Sequence, residues 1–175
     1  KHRIQQNHGF LYGEKYTVFD VMRLCGWAAE QVPQNVGGYR LDADTGSLPI
    51  FIKYEASQYG DRFLNPSEIE WFSKNNRSLT SNEFRWLLNG TEHTPEWQNR
   101  HFVPVFIRRK AEEQEKSYYF VGSAVALDDV REAVNRSEDG SESKVVVSTL
   151  KLLTLPWLKP RDSCELGLLG FRRYV

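Results

Sequence analysis

The chain is poor in the residues on which small disulfide-bonded and metal-dependent domains rely: two cysteines, one methionine and four histidines in 175 residues. Two thiols cannot build a disulfide scaffold. Cys25 falls in the apolar run Val21-Met22-Arg23-Leu24-Cys25-Gly26-Trp27, where a buried, inert thiol is expected. The histidines (His2, His8, His93, His101) form no pair at helical spacing, and Cys164 lies far from Cys25, so no metal-ligand pattern is present. No apolar run approaches the roughly 18 residues that cross a bilayer, and Lys1-His2-Arg3-Ile4-Gln5-Gln6 carries no signal-peptide core. A cytoplasmic protein without a membrane partner is therefore expected. An opening residue other than Met fits an accessory module cut from a larger protein. Net charge is also missing, which argues against coating nucleic acid by bulk electrostatics.

The charge that is present is segregated. Residues 71–110 hold seven Lys/Arg against three acids, and residues 111–142 hold three against nine, a dipole that could turn a basic face toward a polyanion. A length of 175 residues with 40% hydrophobic content supports a single domain over 1–175, with a core at 9–155 and a C-terminal extension at 156–175.

Local signals predict three short helices. Thr17 and Asp20 form a capping box before Val18, Val21, Met22 and Leu24, with Gly26 as the stop. Asn65-Pro66-Ser67-Glu68 reads as a cap and first turn leading into Ile69, Trp71 and Phe72. Thr80-Ser81-Asn82-Glu83 opens the third, through Phe84, Trp86 and Leu87. Residues 35–41 and 48–54 flank a turn and predict a hairpin, with Pro49 marking an edge or strand entry. Residues 101–109, 117–127 and 144–153 are β-branched and aromatic, and Asp128–Val134 reads as a further short helix. Strands outnumber crossover helices. The expected fold is α+β, a mainly antiparallel sheet closing toward a small β-barrel.

Catalytic constellations are scarce. Gly37-Gly38 lacks the third glycine and the lysine of a phosphate loop. Cys25 has only Arg23 as a basic neighbour, and the carboxylate pairs Glu68/Glu70 and Asp128/Asp129 are explained by caps and surface turns. No enzyme and no cofactor is expected. The denser pattern is aromatic and polar: Tyr54, Tyr59, Trp71 and Phe72 for stacking on a base, Ser73, Asn75 and Asn76 for a base edge, and Arg62, Lys74, Arg77, Arg108 and Arg109 for phosphates.

Five motifs in order, Gly13 to Trp27, Asn35 to Tyr39, Pro49 to Tyr54, Asp61 to Arg77 and Tyr118 to Gly122, resemble a bacterial domain of unknown function, DUF3427. That domain ends large proteins carrying a phospholipase-D-like nuclease and a DEAD/DEAH-box helicase. The resemblance implies a part in DNA restriction or defence, with helicase and nuclease domains as partners. It brings no catalytic residues with it. Two functions fit: a non-catalytic DNA-recognition module that reads modified bases, or a docking domain whose acidic segment meets the basic surface of such a partner.

Overall fold

The computed structural model describes residues 6–7, 9–29, 31–54, 61–89, 95–112, 114–153, 158–159 and 172–173. Its elements are β1 (Gln6–Asn7), β2 (Phe10–Leu11), β3 (Lys15–Thr17), α1 (Val18–Leu24), α2 (Pro33–Val36), β4 (Ile50–Tyr54), β5 (Arg62–Asn65) and β6 (Glu68–Phe72). They continue with α3 (Asn82–Leu87), α4 (Pro95–Arg100), β7 (Pro104–Arg109), a 3-10 turn (Lys110–Glu112), β8 (Ser117–Arg136), β9 (Glu142–Leu153), β10 (Leu158–Lys159) and β11 (Arg172–Arg173).

Seven strands form one sheet in the order β4-β7-β8-β9-β6-β5, with β3 alongside the start of β8. The fold is α+β and mostly strand, as expected. The expected antiparallel pattern holds except at one edge, where β4 lies parallel to β7, Ile50 beside Val105 through Tyr54 beside Arg109. Pro49 immediately precedes this edge strand, where no ladder hydrogen bond is asked of its nitrogen. The sheet curls far enough to bring its two edges together: the Tyr54 ring on β4 meets Phe63 on β5 with centroids 5.9 Å apart.

Alternation along the strands builds two cores. Ile50, Ile52 and Tyr54 of β4, with Val105 and Ile107 of β7, point into the curl with Phe63, Ile69, Trp71, Phe84, Leu87 and Trp97. Phe51 and Phe106 point the other way, onto a second cluster with Phe10, Tyr12, Val21, Met22, Tyr118 and Phe120. The strands are thus buried on both faces at this end of the sheet, which is why their sequences are continuously apolar.

Helix α1 forms as predicted: Thr17 Oγ1 accepts from the Asp20 amide at 3.2 Å while Asp20 Oδ2 accepts from the Thr17 amide at 2.9 Å. Gly26 follows its end at φ +78°, a conformation that favours glycine. Helix α3 also forms, capped at Ser81 rather than Thr80 and without a side-chain cap bond.

Two predicted helices are strands. At Asn65 the carboxamide does accept the Ser67 amide, at 2.9 Å, but the turn it stabilises joins β5 to β6. Asx chemistry followed by proline serves a hairpin as well as a helix start. Ile69 and Trp71, two residues apart, share the interior face, so the period is that of a strand. Asp128–Val134 continues β8 instead of coiling, because Arg131–Val134 pairs with Lys144–Val147 of β9. A bulge between Asp128 and Arg131, with Asp129 at φ +50°, marks the bend. The predicted hairpin over 35–54 is reduced to isolated bridges, Tyr39 with Ile50 and Asp42 with Ser47, and the start of its first run, Asn35 and Val36, belongs to the end of α2.

Candidate functional site: a cleft on the outer face of the sheet

The second cluster covers only part of the sheet's outer face. Alternation from Phe51 brings Lys53 onto that face, and from Phe106 it brings Arg108, which lies beside Lys53 in the parallel register. Tyr118 follows on β8. Where the cover of α1 and the α2 turn stops, these residues line a cleft of about 840 Å³ with Thr17, Val18 and Phe19, the Pro33–Gly38 turn, Asp61 and Lys116. A volume of this order is typical of pockets that enclose a whole small ligand.

The floor is aromatic. Phe51 stacks on Phe106 at 5.3 Å and meets the Tyr118 ring nearly edge-on at 5.2 Å. The cations are Lys53, Arg108 and Lys116. Arg108 is 7% exposed; its guanidinium lies 4.5 Å from the Tyr118 ring centroid and donates through Nη1 to the Glu115 carbonyl. Its Nε is buried with no hydrogen-bond partner.

Asp61 supplies the carboxyl. Its Oδ1 accepts from the Phe72 amide at 2.7 Å, which anchors it beside the end of β6. Burial pushes its pKa up to about 7, against the effect of that backbone bond, so near neutral pH it is divided between an acceptor and a donor form.

The wall at Gly37-Gly38 is held from behind. Gly37 sits at φ +59°, and a Cβ there would lie 3.4 Å from Cε and Nζ of Lys74. Lys74 Nζ donates to the Val36 carbonyl at 2.9 Å and stands 4.8 Å from the Tyr39 ring centroid. The Tyr39 hydroxyl donates to Glu83 Oε1 at 2.9 Å, and Arg77 pairs with the same carboxylate through Nε at 2.6 Å and Nη2. Burial alone would push Glu83 up, but the Arg77 and Tyr39 bonds outweigh it and hold the carboxyl below its usual range.

Of the residues singled out from the sequence, Arg108 lines the cleft. Lys74 and Arg77 serve the network behind it, and their bonds are made within the protein. Trp71 is 1% exposed between Tyr39 and Phe84, Tyr54 packs against Phe63, and neither ring lines the cleft. Ser73 is buried, its Oγ accepting from the Val146 amide at 2.8 Å. Asn75 and Asn76 are exposed in the turn after β6, where Asn76 at φ +60° is a residue that tolerates left-handed backbone. Phe72 is half-buried, Arg62 reaches Glu70 at 3.2 Å, and the Arg109 amide donates to Glu112. Tyr59 lies outside the described residues.

Phe19, Phe51, Lys53, Asp61, Lys116 and Tyr118 were not singled out. Strand alternation across 50–54, 104–109 and 117–120 is the signal that would have grouped Phe51, Lys53, Arg108 and Tyr118. Cys25 carries no thiolate: burial pushes its thiol up to about 12. Among the described residues no group of three or more His, Cys, Asp or Glu is placed to hold a metal ion. No described helix is long and apolar enough to cross a membrane.

The molecule is thus a curled α+β sheet that closes on its own core and carries an aromatic and cationic cleft outside it. The chain belongs to the DUF3427 family, a domain of unknown function, which matches residues 10–155. No curated protein matches it. Among solved structures it is similar to the sulfur binding domain and SRA domain of ScoMcrA complexed with phosphorothioated DNA, with a TM-score of 0.51 and 16% identity over 83% of this chain. The chain spans 40% of that protein's chain. It is also similar to the SUVH5 SRA domain in complex with fully methylated CG DNA, with a TM-score of 0.47 and 16% identity over 85% of this chain and 95% of the other. At such identity the likeness is one of fold.

Proposed function

We propose that this domain is a non-catalytic DNA-recognition module that receives an unstacked, modified base in the outer cleft. The observation that carries the reading is the cleft's composition: an aromatic floor, three cations and one carboxyl in a space large enough for a nucleotide. Proteins that read an extruded base use an aromatic or apolar slot with hydrogen bonds to the base edge, and cations for the adjoining phosphates. Asp61 can accept from an exocyclic amine, Phe19, Phe51 and Tyr118 offer the apolar contact, and Lys53 and Lys116 supply positive charge for a phosphate. A fold shared with a protein solved on phosphorothioated DNA supports the same reading. So does the resemblance to domains that end helicase–nuclease proteins, for which this module would choose the target in restriction or defence.

The test is fluorescence anisotropy with short labelled duplexes and single strands, with and without cytosine modification, at two salt concentrations. Salt-sensitive binding that prefers one base chemistry is expected. Phe19→Ala and Asp61→Asn should each weaken it at least fivefold while the circular dichroism spectrum is kept. Binding that ignores both substitutions would place the DNA elsewhere on the surface; no binding at low salt would end the reading and favour docking to a partner domain.

A further inference from the structure

Arg108 presents an unusual balance. A guanidinium offers five N–H donors and is always charged, so sinking it to 7% exposure demands partners. The protein provides one carbonyl, from Glu115, and one ring face, from Tyr118. Nε is left buried and unpartnered among the described residues. The neighbouring acids are engaged elsewhere: Glu115 pairs with Lys15 at 2.7 Å, and Glu112 Oε2 accepts from the Arg109 amide. Lys53 is the parallel-register neighbour of Arg108, and Lys116 lines the same cleft. Three cations, two of them register neighbours, therefore border one cleft, and one of them carries a buried donor without a partner.

We propose that Arg108, with Lys53 and Lys116 beside it, forms an oxyanion subsite inside the cleft that binds the phosphate of the nucleotide whose base is being read. This rests on the nucleotide-binding reading and deepens it. The cleft then takes a whole nucleotide, base and phosphate together, rather than a bare base with its phosphate outside. A guanidinium suits the role because its planar fork can give two parallel bonds to a phosphate, which an ammonium cannot. The Tyr118 ring, its centroid 4.5 Å from the guanidinium carbon, adds a cation–π contact that stabilises the charge. A terminal phosphomonoester and an internal phosphodiester offer the same chemistry, and the ligands below separate them.

The whole chain is titrated with inorganic phosphate while the Arg108 Nε–H signal is followed by NMR, assigned through Arg108→Lys. Calorimetry then compares deoxynucleosides with their 5′-monophosphates, and single strands bearing a 5′-phosphate with the same strands bearing a 5′-hydroxyl. The expected result is a saturable shift of the Nε–H signal and at least a tenfold preference for monophosphate over nucleoside. Arg108→Met should abolish that preference and Arg108→Lys restore only part of it. A 5′-phosphate advantage on strands identifies a strand end as the ligand; equal binding of both strands, with the monophosphate preference intact, identifies the internal diester. Either arm supports the subsite. A silent Nε–H signal, or a preference that survives in folded Arg108→Met, overturns it. Should Arg108→Met fail to fold, the Nε–H titration of the unaltered chain decides alone. DNA binding that persists without any Arg108 response removes the subsite and keeps the reader, whereas an Arg108 response without DNA binding removes the reader and keeps an anion site.

Discussion

Two carboxyl groups flank the cleft wall and respond to pH in opposite senses. Asp61 has its pKa raised to about 7 by burial, against about 3.9 for an unfolded aspartate, so the folded state binds its proton more tightly. Its contribution is fully present below about pH 4 and is lost as pH rises to about 7. Glu83 is held below its usual range by Arg77 and Tyr39, so its contribution is present above about pH 4.3 and lost as pH falls. Urea denaturation across pH should therefore show a maximum on the acid side of neutrality. Asp61→Asn should flatten the descent toward pH 7, and Glu83→Gln the descent below pH 4. If neither limb changes, the pH dependence belongs to other groups. Glu83→Ala is the harsher substitution, since it strands the Tyr39 hydroxyl and the Arg77 guanidinium. With Arg77 37% exposed, a loss of about 2 kcal/mol is expected, below the range for a fully buried pair.

The hairpin of β5 and β6 shows what an element's sequence reveals and what it withholds. Asn65 and Pro66 were legible as punctuation, but the helix start they suggested is a hairpin turn. Which element they introduce depended on Ile69, Trp71 and Phe72, three apolar positions that satisfy a helical and a strand period at once. Only pairing with β9 decides, through contacts such as Trp71 beside Ser148 that lie far apart in the chain. The same holds for Asp128–Val134, whose composition suits a helix until Val145–Val147 claims it. Helix α1 was legible because its capping box is complete within four residues. The cleft was less legible than the fold, because its residues come from six separate segments that only the parallel β4–β7 register and the curl of the sheet assemble. Trp71 stood out as a stacking residue because aromatics beside Asn and Arg look alike in a pocket and in a core. Its place between Tyr39 and Phe84 makes a different prediction: Trp71→Ala should cost about 3–5 kcal/mol in urea denaturation, and Trp71→Phe distinctly less. If Trp71→Ala were to keep full stability, its assignment to the core would be wrong.

At the scale of the molecule, part of the charge dipole of the sequence is consumed within the fold. Arg77 is spent on Glu83 and Arg108 is sunk in the cleft, while along the β8–β9 arm Asp129 is matched by Arg131 and Glu142 by Arg136. Affinity for DNA should therefore fall with salt more gently than for a protein that lays many cations along the backbone, a slope equivalent to about two or three phosphates. A steeper slope would point to a binding surface outside the cleft. The parallel edge of the sheet also bears on how the domain comes into being. β7, β8 and β9 are consecutive and can zip together as hairpins, but β4 must bring residue 50 to residue 105 before its first ladder bond forms. Phe51 and Lys53 ride on that strand. In a refolding experiment the β7–β8–β9 hairpins should form first and β4 dock last, so that a chain briefly opened at its β4 edge keeps those hairpins and yet lacks both the Ile50, Ile52 and Tyr54 share of the core and the Phe51 and Lys53 side of the cleft.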